Sequence, residues 1–390
     1  MAGETEKVQG GAGISPGIVR EGMAKARISK ESFFNPHMRF NRDVSSLAFG
    51  LAAKETMARE KGRMSVLDAF CSSGVRGMRY WVENGCRGSI TFLDANKRLA
   101  KLIESNALAN KLKKSEFKVA IEDFNVHYSK PGYDFVEIDP FGTPAPFIYN
   151  AMNQFRYKKA AYLSLTATDT AVLCGARHDA CIKNYNSVPL NNDCCHENAI
   201  RILIGFAARI ACQHNFGVMP LFSFSKRHYV KTIMRLDFGA EKAVEAAKTA
   251  SMLAIYDPAS LQTGLAMPFS KAFRERGEKA IVSGPLWGGK IWDKGFVEQM
   301  SKLNNERKLE GLEEVAAFLE TIIGEADLPA YYFDTHSIFH KEKIQSVPLG
   351  GVIENLHKAG FAASRTHFSP TAIRTGAGYS DMLAAIEKSR

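Results

Sequence analysis

The chain has 390 residues, of which 45% are hydrophobic and 24% charged, and it contains 31 Gly and 14 Pro. At about 150 residues per domain this length predicts two or three domains, and the composition excludes collagen-like, disordered and disulfide-scaffold proteins. Lys and Arg number 51 against 41 Asp and Glu, and the formal charge of +10 favours a polyanionic partner without identifying it.

Neither a membrane span nor a signal peptide is predicted. The longest apolar stretch with a helical pattern, residues 202–212, contains Arg209 and is far shorter than the ~20 residues of a bilayer span. Residues 1–13 are small and polar, without the apolar core of a signal peptide. We therefore expect a cytoplasmic protein that does not enter a membrane.

The cysteines indicate reduced thiols. They form an odd set of seven without a C-x-x-C pair, unlike a disulfide framework or a zinc ribbon. Cys181, Cys194, Cys195 and His196 lie close in sequence, but their spacing fits no tetrahedral zinc pattern, and a buried polar network is the preferred interpretation. We expect no metal.

Between residues 64 and 238, apolar runs of strand length alternate with turns and helical stretches, which predicts a parallel α/β sheet. The seven predicted strands are residues 64–70, 89–94, 116–120, 133–139, 160–165, 217–224 and 229–238. Only residues 225–228 separate the last two, too few for a helical crossover, so these strands must form an antiparallel hairpin. A Rossmann-like sheet that ends in such a hairpin resembles the class I S-adenosylmethionine-dependent methyltransferases.

After the sheet, residues 240–254 are predicted to be helical, and residues 257–295 mix Gly, Pro and charge as a transition between domains. Four further elements are predicted, namely helices at 312–323 and 347–359 and extended segments at 331–339 and 361–368. We therefore expect a catalytic domain over residues 1–270, including an N-terminal flap, and a smaller α+β domain over residues 271–390.

The first predicted strand leads into a turn, Cys71-Ser-Ser-Gly74, and then into a helix at 78–84. Ser73 and Gly74 allow the backbone to turn sharply and approach a ligand, in front of the N–H donors of the helix. A tight strand-to-helix turn without a ligand would have the same composition.

Carboxylates follow the next two strands. Asp94 comes twenty residues after Gly74, where an acceptor binds ribose hydroxyls, and Asp123-Phe124 follows the third strand, where a carboxylate accepts from an adenine amine. Each acid alone fits a helix cap or a solvated loop equally well. Three such features at consecutive strand ends favour a nucleoside-binding crevice.

The fourth strand ends in Asp139-Pro140-Phe141, which is similar to the [D/N/S]-P-P-[Y/F] motif of amino-methyltransferases without its second Pro. A base amine is a poor nucleophile because its lone pair is delocalised into the ring. A carboxylate that accepts from its N–H localises that lone pair, and an aromatic ring can hold the base by stacking. The alternative is a plain turn after a buried strand.

A segment upstream of the sheet, residues 33–43, joins aromatic residues to a polar and basic cluster. It fits either a helix entry capped by Asn41 or Asp43, or a flap over a methyl donor and a base. We call it the flap segment.

The residues resemble one family, the tRNA guanine-N2 dimethyltransferases that modify guanosine 26, from about Val19 to Ala377. The shared motifs are F-x-N-P-x-M-x-x-N-R-D (33–43), S-G-[IV]-R-G-x-R (73–79), D-P-F-G-[ST]-P (139–144), LTATD (165–169), LCG (173–175), VPL (188–190), CHE (195–197), RIL (201–203), GPLW (284–287), DTH (334–336) and RTHFSP (365–370). Some relatives carry paired zinc-binding cysteines before GPLW, whereas residues 257–282 contain no Cys here.

The resemblance implies that Arg42 and Arg76 contact S-adenosylmethionine, and that Asp94 and Asp123 bind its ribose and adenine. Phe124 stands where relatives often have Ala, so its contact with adenine would run through the backbone.

The resemblance also implies that Asp139 is the catalytic acid and that guanine is held between Phe33 and Phe141, beside Pro140. Four basic residues of the C-terminal domain are predicted to hold the tRNA body, although scattered solvated charges are the alternative. They are Lys341, Lys343, Arg365 and Arg374.

We expect an enzyme that transfers one or two methyl groups from S-adenosylmethionine to N2 of guanosine 26 in tRNA by direct displacement. Two alternatives remain open: a non-catalytic RNA-binding protein that has kept the fold, and a methyltransferase for protein or small-molecule amines. We expect a monomer that binds tRNA and not DNA.

Overall fold

A computed structural model describes residues 17–130, 132–307 and 311–390. The chain divides into two compact units, Met1–Val126 and His127–Arg390. This partition does not test the predicted division into domains 1–270 and 271–390, which stays a prediction. In the part of the chain that the structure describes, no helix has both the length and the apolar character needed to cross a bilayer.

The first unit begins with an antiparallel hairpin and continues as an α/β repeat. Its elements are β1 (Gly17–Glu21), β2 (Ala24–Ile28), a 3₁₀ turn (Pro36–Met38), α1 (Arg39–Arg59), β3 (Met64–Ala69), α2 (Val75–Glu83), β4 (Gly88–Asp94), a 3₁₀ turn (Lys97–Leu99), α3 (Ala100–Ala109) and β5 (Phe117–Ile121). Strands β3, β4 and β5 are parallel, with β4 in the middle. Their carboxyl ends therefore share one edge.

The second unit opens with the remaining strands of the predicted α/β pattern. Its first elements are β6 (Phe135–Ile138), α4 (Ala145–Gln154), β7 (Ala160–Ala167), α5 (Thr170–Leu173), α6 (His178–Tyr185), α7 (Cys195–Gln213), β8 (Phe216–Lys226) and β9 (Tyr229–Phe238). Strands β6 and β7 are parallel, whereas β9 is antiparallel to both β7 and β8. All residues of β6 and β7 are buried, as expected for strands covered on both faces.

The rest of the second unit is α+β. It comprises α8 (Ala240–Thr249), β10 (Met252–Asp257), β11 (Gln262–Ala266), α9 (Lys271–Arg274), β12 (Ile281–Leu286), α10 (Lys294–Arg307), α11 (Leu312–Glu325), β13 (Phe333–Asp334), α12 (Thr335–Glu342), α13 (Leu349–Lys358), β14 (Ala363–Thr366), β15 (Ser369–Thr375) and α14 (Tyr379–Glu387). Two three-stranded antiparallel sheets form, in the orders β11-β10-β12 and β13-β15-β14. A separate apolar cluster that includes Ile338, Val352, Ile373 and Met382 packs α12, α13 and α14 with the second sheet.

The predicted fold class is confirmed: parallel α/β strands, a terminal antiparallel hairpin and a smaller α+β part. All seven predicted strands are present, with bounds that differ by at most two residues.

Two predicted elements of the α+β part are present but shorter than predicted. The helix predicted at 240–254 ends at Thr249, because residues 252–257 form β10 and pair with strands on both sides. The segment 331–339 is extended only at Phe333–Asp334, since Asp334 Oδ1 accepts a hydrogen bond from the N–H of His336 and starts α12.

Candidate active site

The turn between β3 and α2 has an unusual backbone. Phe70, Ser72 and Gly74 have φ angles of 60°, 48° and 77°, in the left-handed region that non-glycine residues rarely adopt. Such strain persists where the surroundings enforce it, and it clusters at ligand sites. Gly74, the N-cap residue of α2, has no side chain that could accept a hydrogen bond from the first N–H groups of the helix. These N–H groups lie directly after the turn.

Asp94, at the end of β4, is fixed against this turn. Its Oδ2 accepts from the N–H of Ser72 at 2.9 Å, and its Oδ1 accepts from the N–H of Asn96 at 2.9 Å. A carboxylate has about four acceptor positions, so each oxygen keeps one for a further donor. The half-buried side chain is therefore oriented and still able to accept from two ribose hydroxyls.

The same turn holds the flap segment. The N–H of Phe33 donates to Ser72 Oγ at 2.8 Å, and Ser72 Oγ donates to the carbonyl of Phe33 at 2.9 Å. The ring of Phe33 is 47% exposed. Ser72 thus joins the flap segment to the turn that also contacts Asp94. The sequence indicated only that a small residue is needed at this position.

Arg42 is held inside the first unit by an acid that sequence reasoning missed. Its Nε and Nη2 donate to the two carboxylate oxygens of Glu21 at 2.6 and 2.7 Å, and its guanidinium lies 4.9 Å from the ring centre of Phe34. Burial by itself raises the pKa of Glu21, but the charges of Arg42 and Arg79 outweigh it and lower that pKa. Glu21 therefore fixes the position of the Arg42 guanidinium. The contact of Arg42 with the cofactor stays a prediction.

Arg76 and Asn41 form a second buried pair. Arg76 Nη1 donates to Asn41 Oδ1 at 2.7 Å, and Asn41 is fully buried. Among the described residues no acceptor lies within hydrogen-bond distance of Asn41 Nδ2. A buried donor without a partner is rare and costly, so an amide donor beside a guanidinium fits the carboxylate of an amino-acid ligand.

The other predicted cofactor residues differ in exposure. Asp123 is exposed, and its Oδ1 accepts from the N–H of Asn125 at 2.7 Å. Phe124 is 1% exposed and its ring lies 5.8 Å from that of Phe70, so only its backbone is placed to contact a ligand. Ser73 is buried as well.

The loop after β6 carries the predicted catalytic residues of the second unit. Asp139 is half-buried, Pro140 is buried, and the ring of Phe141 is 76% exposed. An apolar ring so exposed beside a strand-end carboxylate is suited to stacking on a flat polar partner.

Hydrogen bonds to the end of β7 fix this loop. The N–H of Gly142 donates to Thr168 Oγ1 at 2.8 Å, and the N–H of Thr168 donates back to the carbonyl of Gly142 at 2.9 Å. Thr143 Oγ1 donates to Tyr185 Oη at 2.7 Å, and Tyr185 Oη donates to Asp169 Oδ1 at 2.9 Å. The loop that holds Asp139 is therefore tied to a buried tyrosine.

Burial raises the pKa of Tyr185, and the charge of Asp169 raises it further, so the phenol stays protonated as a donor. Burial also raises the pKa of Asp169 above its usual value. The sequence marked Asp169 as part of a motif, but only the fold shows that Asp169 and Tyr185 support the loop of Asp139.

The structure corrects one predicted tRNA contact. Arg374 is 1% exposed; its Nε donates to Glu325 and its Nη2 to Glu197, each at 2.7 Å. A guanidinium enclosed between two carboxylates cannot reach a phosphate, so the prediction for Arg374 is wrong. Glu197 also accepts from Arg201 at 2.7 Å, and Glu325 accepts from His367 at 2.6 Å.

The other three predicted tRNA contacts, Lys341, Lys343 and Arg365, are exposed. Lys341 donates to the carbonyl of Ala259 and lies 5.1 Å from the ring centre of Tyr379. Their exposure is compatible with phosphate binding, which stays a prediction.

A strained strand-to-helix turn, an oriented acid on the next strand and an Asp-Pro-Phe loop after a buried strand define a methyltransferase of the class I type. The family model for N2,N2-dimethylguanosine tRNA methyltransferase matches residues 16–387, and the chain belongs to this family.

Curated relatives match over nearly their full length. The tRNA (guanine(26)-N(2))-dimethyltransferase of Methanobrevibacter smithii is 34% identical over 372 residues, covering 92% of this chain and 94% of that protein. The enzyme of the same name from Methanocaldococcus jannaschii is 33% identical over 376 residues, covering 95% and 96%. The structure of Trm1 from Pyrococcus horikoshii with S-adenosyl-L-methionine matches with a TM-score of 0.83 at 29% identity, covering 95% of this chain and 99% of that one.

Proposed function

We propose that this protein transfers methyl groups from S-adenosylmethionine to the exocyclic N2 amine of guanosine 26 in tRNA. The observation that carries the proposal is the loop after β6, where the half-buried carboxylate of Asp139 stands beside the exposed ring of Phe141. Membership of the dimethylguanosine tRNA methyltransferase family supports the substrate class.

The first unit supplies groups that fit the methyl donor. Asp94 keeps acceptor positions for the ribose hydroxyls, and Asp123 is the acceptor for the adenine amine. Asn41 Nδ2 and Arg76 are donors for the amino-acid carboxylate, with Arg42 as a further cation. S-adenosylmethionine, when bound, supplies an electrophilic methyl group on a sulfonium.

Asp139 acts on the nucleophile. Its carboxylate accepts a hydrogen bond from the guanine N2 amine, which localises the nitrogen lone pair, and it takes the proton that the amine releases as the new N–C bond forms and the S–C bond breaks. Pro140 keeps the backbone rigid behind the carboxylate, while Phe141 and Phe33 are the proposed ring contacts of the base. The reaction needs no covalent enzyme intermediate.

The decisive experiment replaces Asp139 by Ala in the full chain. We expect at least ~10²-fold slower methyl transfer, the scale for a positioned catalytic group, with S-adenosylmethionine affinity unchanged in calorimetry. Asp179→Ala is a matched control, since that aspartate lies in the same unit and its side chain is fully exposed. Near wild-type turnover of the Asp139 variant would remove this residue from the mechanism.

Nucleoside mass spectrometry of unmodified tRNA incubated with the protein and the methyl donor identifies the base, its position and the number of methyl groups. Failure to bind S-adenosylmethionine would favour the non-catalytic RNA-binding alternative. Methyl incorporation into protein or small amines instead of tRNA would favour the other alternative.

The domain roles remain proposals: catalysis in residues 1–270 and tRNA binding in residues 271–390. Lys341, Lys343 and Arg365 are the proposed phosphate contacts. A monomeric state, a cytoplasmic location and discrimination against DNA belong to the same proposal.

A further inference from the structure

A cluster of metal-ligand side chains lies between α5 and α7. Cys174 caps the carboxyl end of α5, Cys195 is the first residue of α7, and His196 follows it. The two Sγ atoms and one ligand nitrogen of His196 all lie within 4.8 Å of one another. The sequence grouped Cys195 and His196 with other thiols but not with Cys174, which precedes Cys195 by 21 residues.

The spacing of the cluster matches a tetrahedral site. Metal–sulfur and metal–imidazole distances of about 2.3 and 2.05 Å, at a tetrahedral angle, separate the two ligand atoms by about 3.6 Å. Cys174 Sγ lies 3.6 Å from His196 Nδ1. One ion can therefore contact both atoms with little movement of the side chains.

The three side chains are accessible to an ion. Cys174, Cys195 and His196 are all partly buried, so solvent and ions can reach them. A bound cation would stabilise the thiolate forms of both cysteines.

We propose that Cys174, Cys195 and His196 bind one thiophilic divalent ion of the Zn²⁺ type, with a fourth position left for water. Ser225 Oγ, 3.3 Å from His196 Nδ1, places a hydroxyl beside the site. Two thiolates and one imidazole are the soft donor set that selects zinc over Mg²⁺ or Ca²⁺.

The ion would act structurally. It would tie the end of α5 to the start of α7, and α5 begins next to Asp169, the partner of Tyr185 in the network that supports the loop of Asp139. The methyl transfer chemistry does not require the ion.

The test uses the full chain, prepared metal-free under reducing conditions and titrated with Co²⁺ as a spectroscopic probe. We expect one equivalent to bind and to produce thiolate-to-metal charge-transfer absorption, and Zn²⁺ to displace it. Cys174→Ser and Cys195→Ser should each weaken binding at least ~10-fold. Cys212→Ser is the control, because its thiol is partly buried but contacts the Arg209 carbonyl outside the cluster.

Circular dichroism without metal establishes that each variant is folded before its affinity is compared. The wild-type titration tests the proposal by itself: no charge-transfer band at one equivalent would overturn it. Unchanged affinity in folded Cys174→Ser would overturn it as well. A disulfide between Cys174 and Cys195 in protein isolated without added oxidant would instead identify the thiols as a redox pair.

Discussion

Arg374 provides a direct test of how the second unit is held together. Its guanidinium bridges Glu197 and Glu325, two carboxylates that are fully buried. In Arg374→Met, which removes the charge, Glu197 retains Arg201 and Glu325 retains His367, but each carboxylate loses one of its cationic partners. Removing one member of a buried ion pair costs roughly 3–5 kcal/mol. In a domain of this size, that corresponds to a decrease in Tm of roughly 6–20 °C.

Thermal unfolding of the full chain, followed by circular dichroism, measures this effect. Arg365→Met is the matched control, because Arg365 is exposed on the adjacent strand β14 and should change stability by no more than about 0.5 kcal/mol. An unchanged Tm for Arg374→Met, together with weaker tRNA binding and a flatter salt dependence, would refute this reasoning and restore Arg374 as a phosphate contact.

The same network predicts a dependence on acid. Burial alone would raise the pKa of Glu197, but the charges of Arg374 and Arg201 outweigh it and set the pKa at about 2. A carboxylate whose pKa is lowered on folding stabilises the protein above its unfolded value of 4.5, and this stability is lost as the pH falls from 4.5 towards 2. Between pH 5 and pH 3 the loss should be on the order of 2 kcal/mol, and it should be smaller in Arg374→Met. Denaturant unfolding at pH 5 and pH 3 measures both.

Three further predictions concern the proposed site. Asp94→Ala should weaken S-adenosylmethionine binding by roughly 1–3 kcal/mol because the ribose hydrogen bonds are removed, and it should leave tRNA affinity unchanged; an unaltered cofactor Kd in calorimetry would show that Asp94 does not bind it. Tyr185→Phe removes the hydroxyl that supports the catalytic loop, and we expect turnover to fall by about tenfold with cofactor affinity retained, whereas wild-type turnover would remove Tyr185 from that role. Replacing Lys341, Lys343 and Arg365 together by Ala should weaken tRNA binding. It should also reduce the slope of log K against log salt concentration by up to roughly 0.7–0.9 for each phosphate that is no longer neutralised. Equal affinities and equal slopes for variant and wild type would place the tRNA surface elsewhere.

The sequence was sufficient to locate the central strands and the loops at their ends. Apolar runs located β3 to β9 because strands buried in a sheet have few polar residues. Only four residues lay between the last two predicted strands, which allowed only a hairpin. The acids could be placed at strand ends because Asp94 and Asp139 directly follow an apolar residue of a strand, and Asp123 follows one after Glu122. These are properties of neighbouring residues, and the sequence displays them directly.

Tertiary structure alone decided which polar residues are buried together. In the sequence, Arg374 lies in a segment that resembles a basic surface. In the fold it is buried against Glu197, which lies 177 residues away along the chain. Glu21 at the end of β1 binds Arg42 of α1, which lies 21 residues further along the chain, and Cys174 reaches His196 because α5 packs on α7. A charge or thiol changes its role with its surroundings, and those surroundings come from distant parts of the chain whose pairing leaves no periodic pattern. The sequence therefore determined where the strands and their functional loops lie, and the fold determined which side chains hold those loops in place.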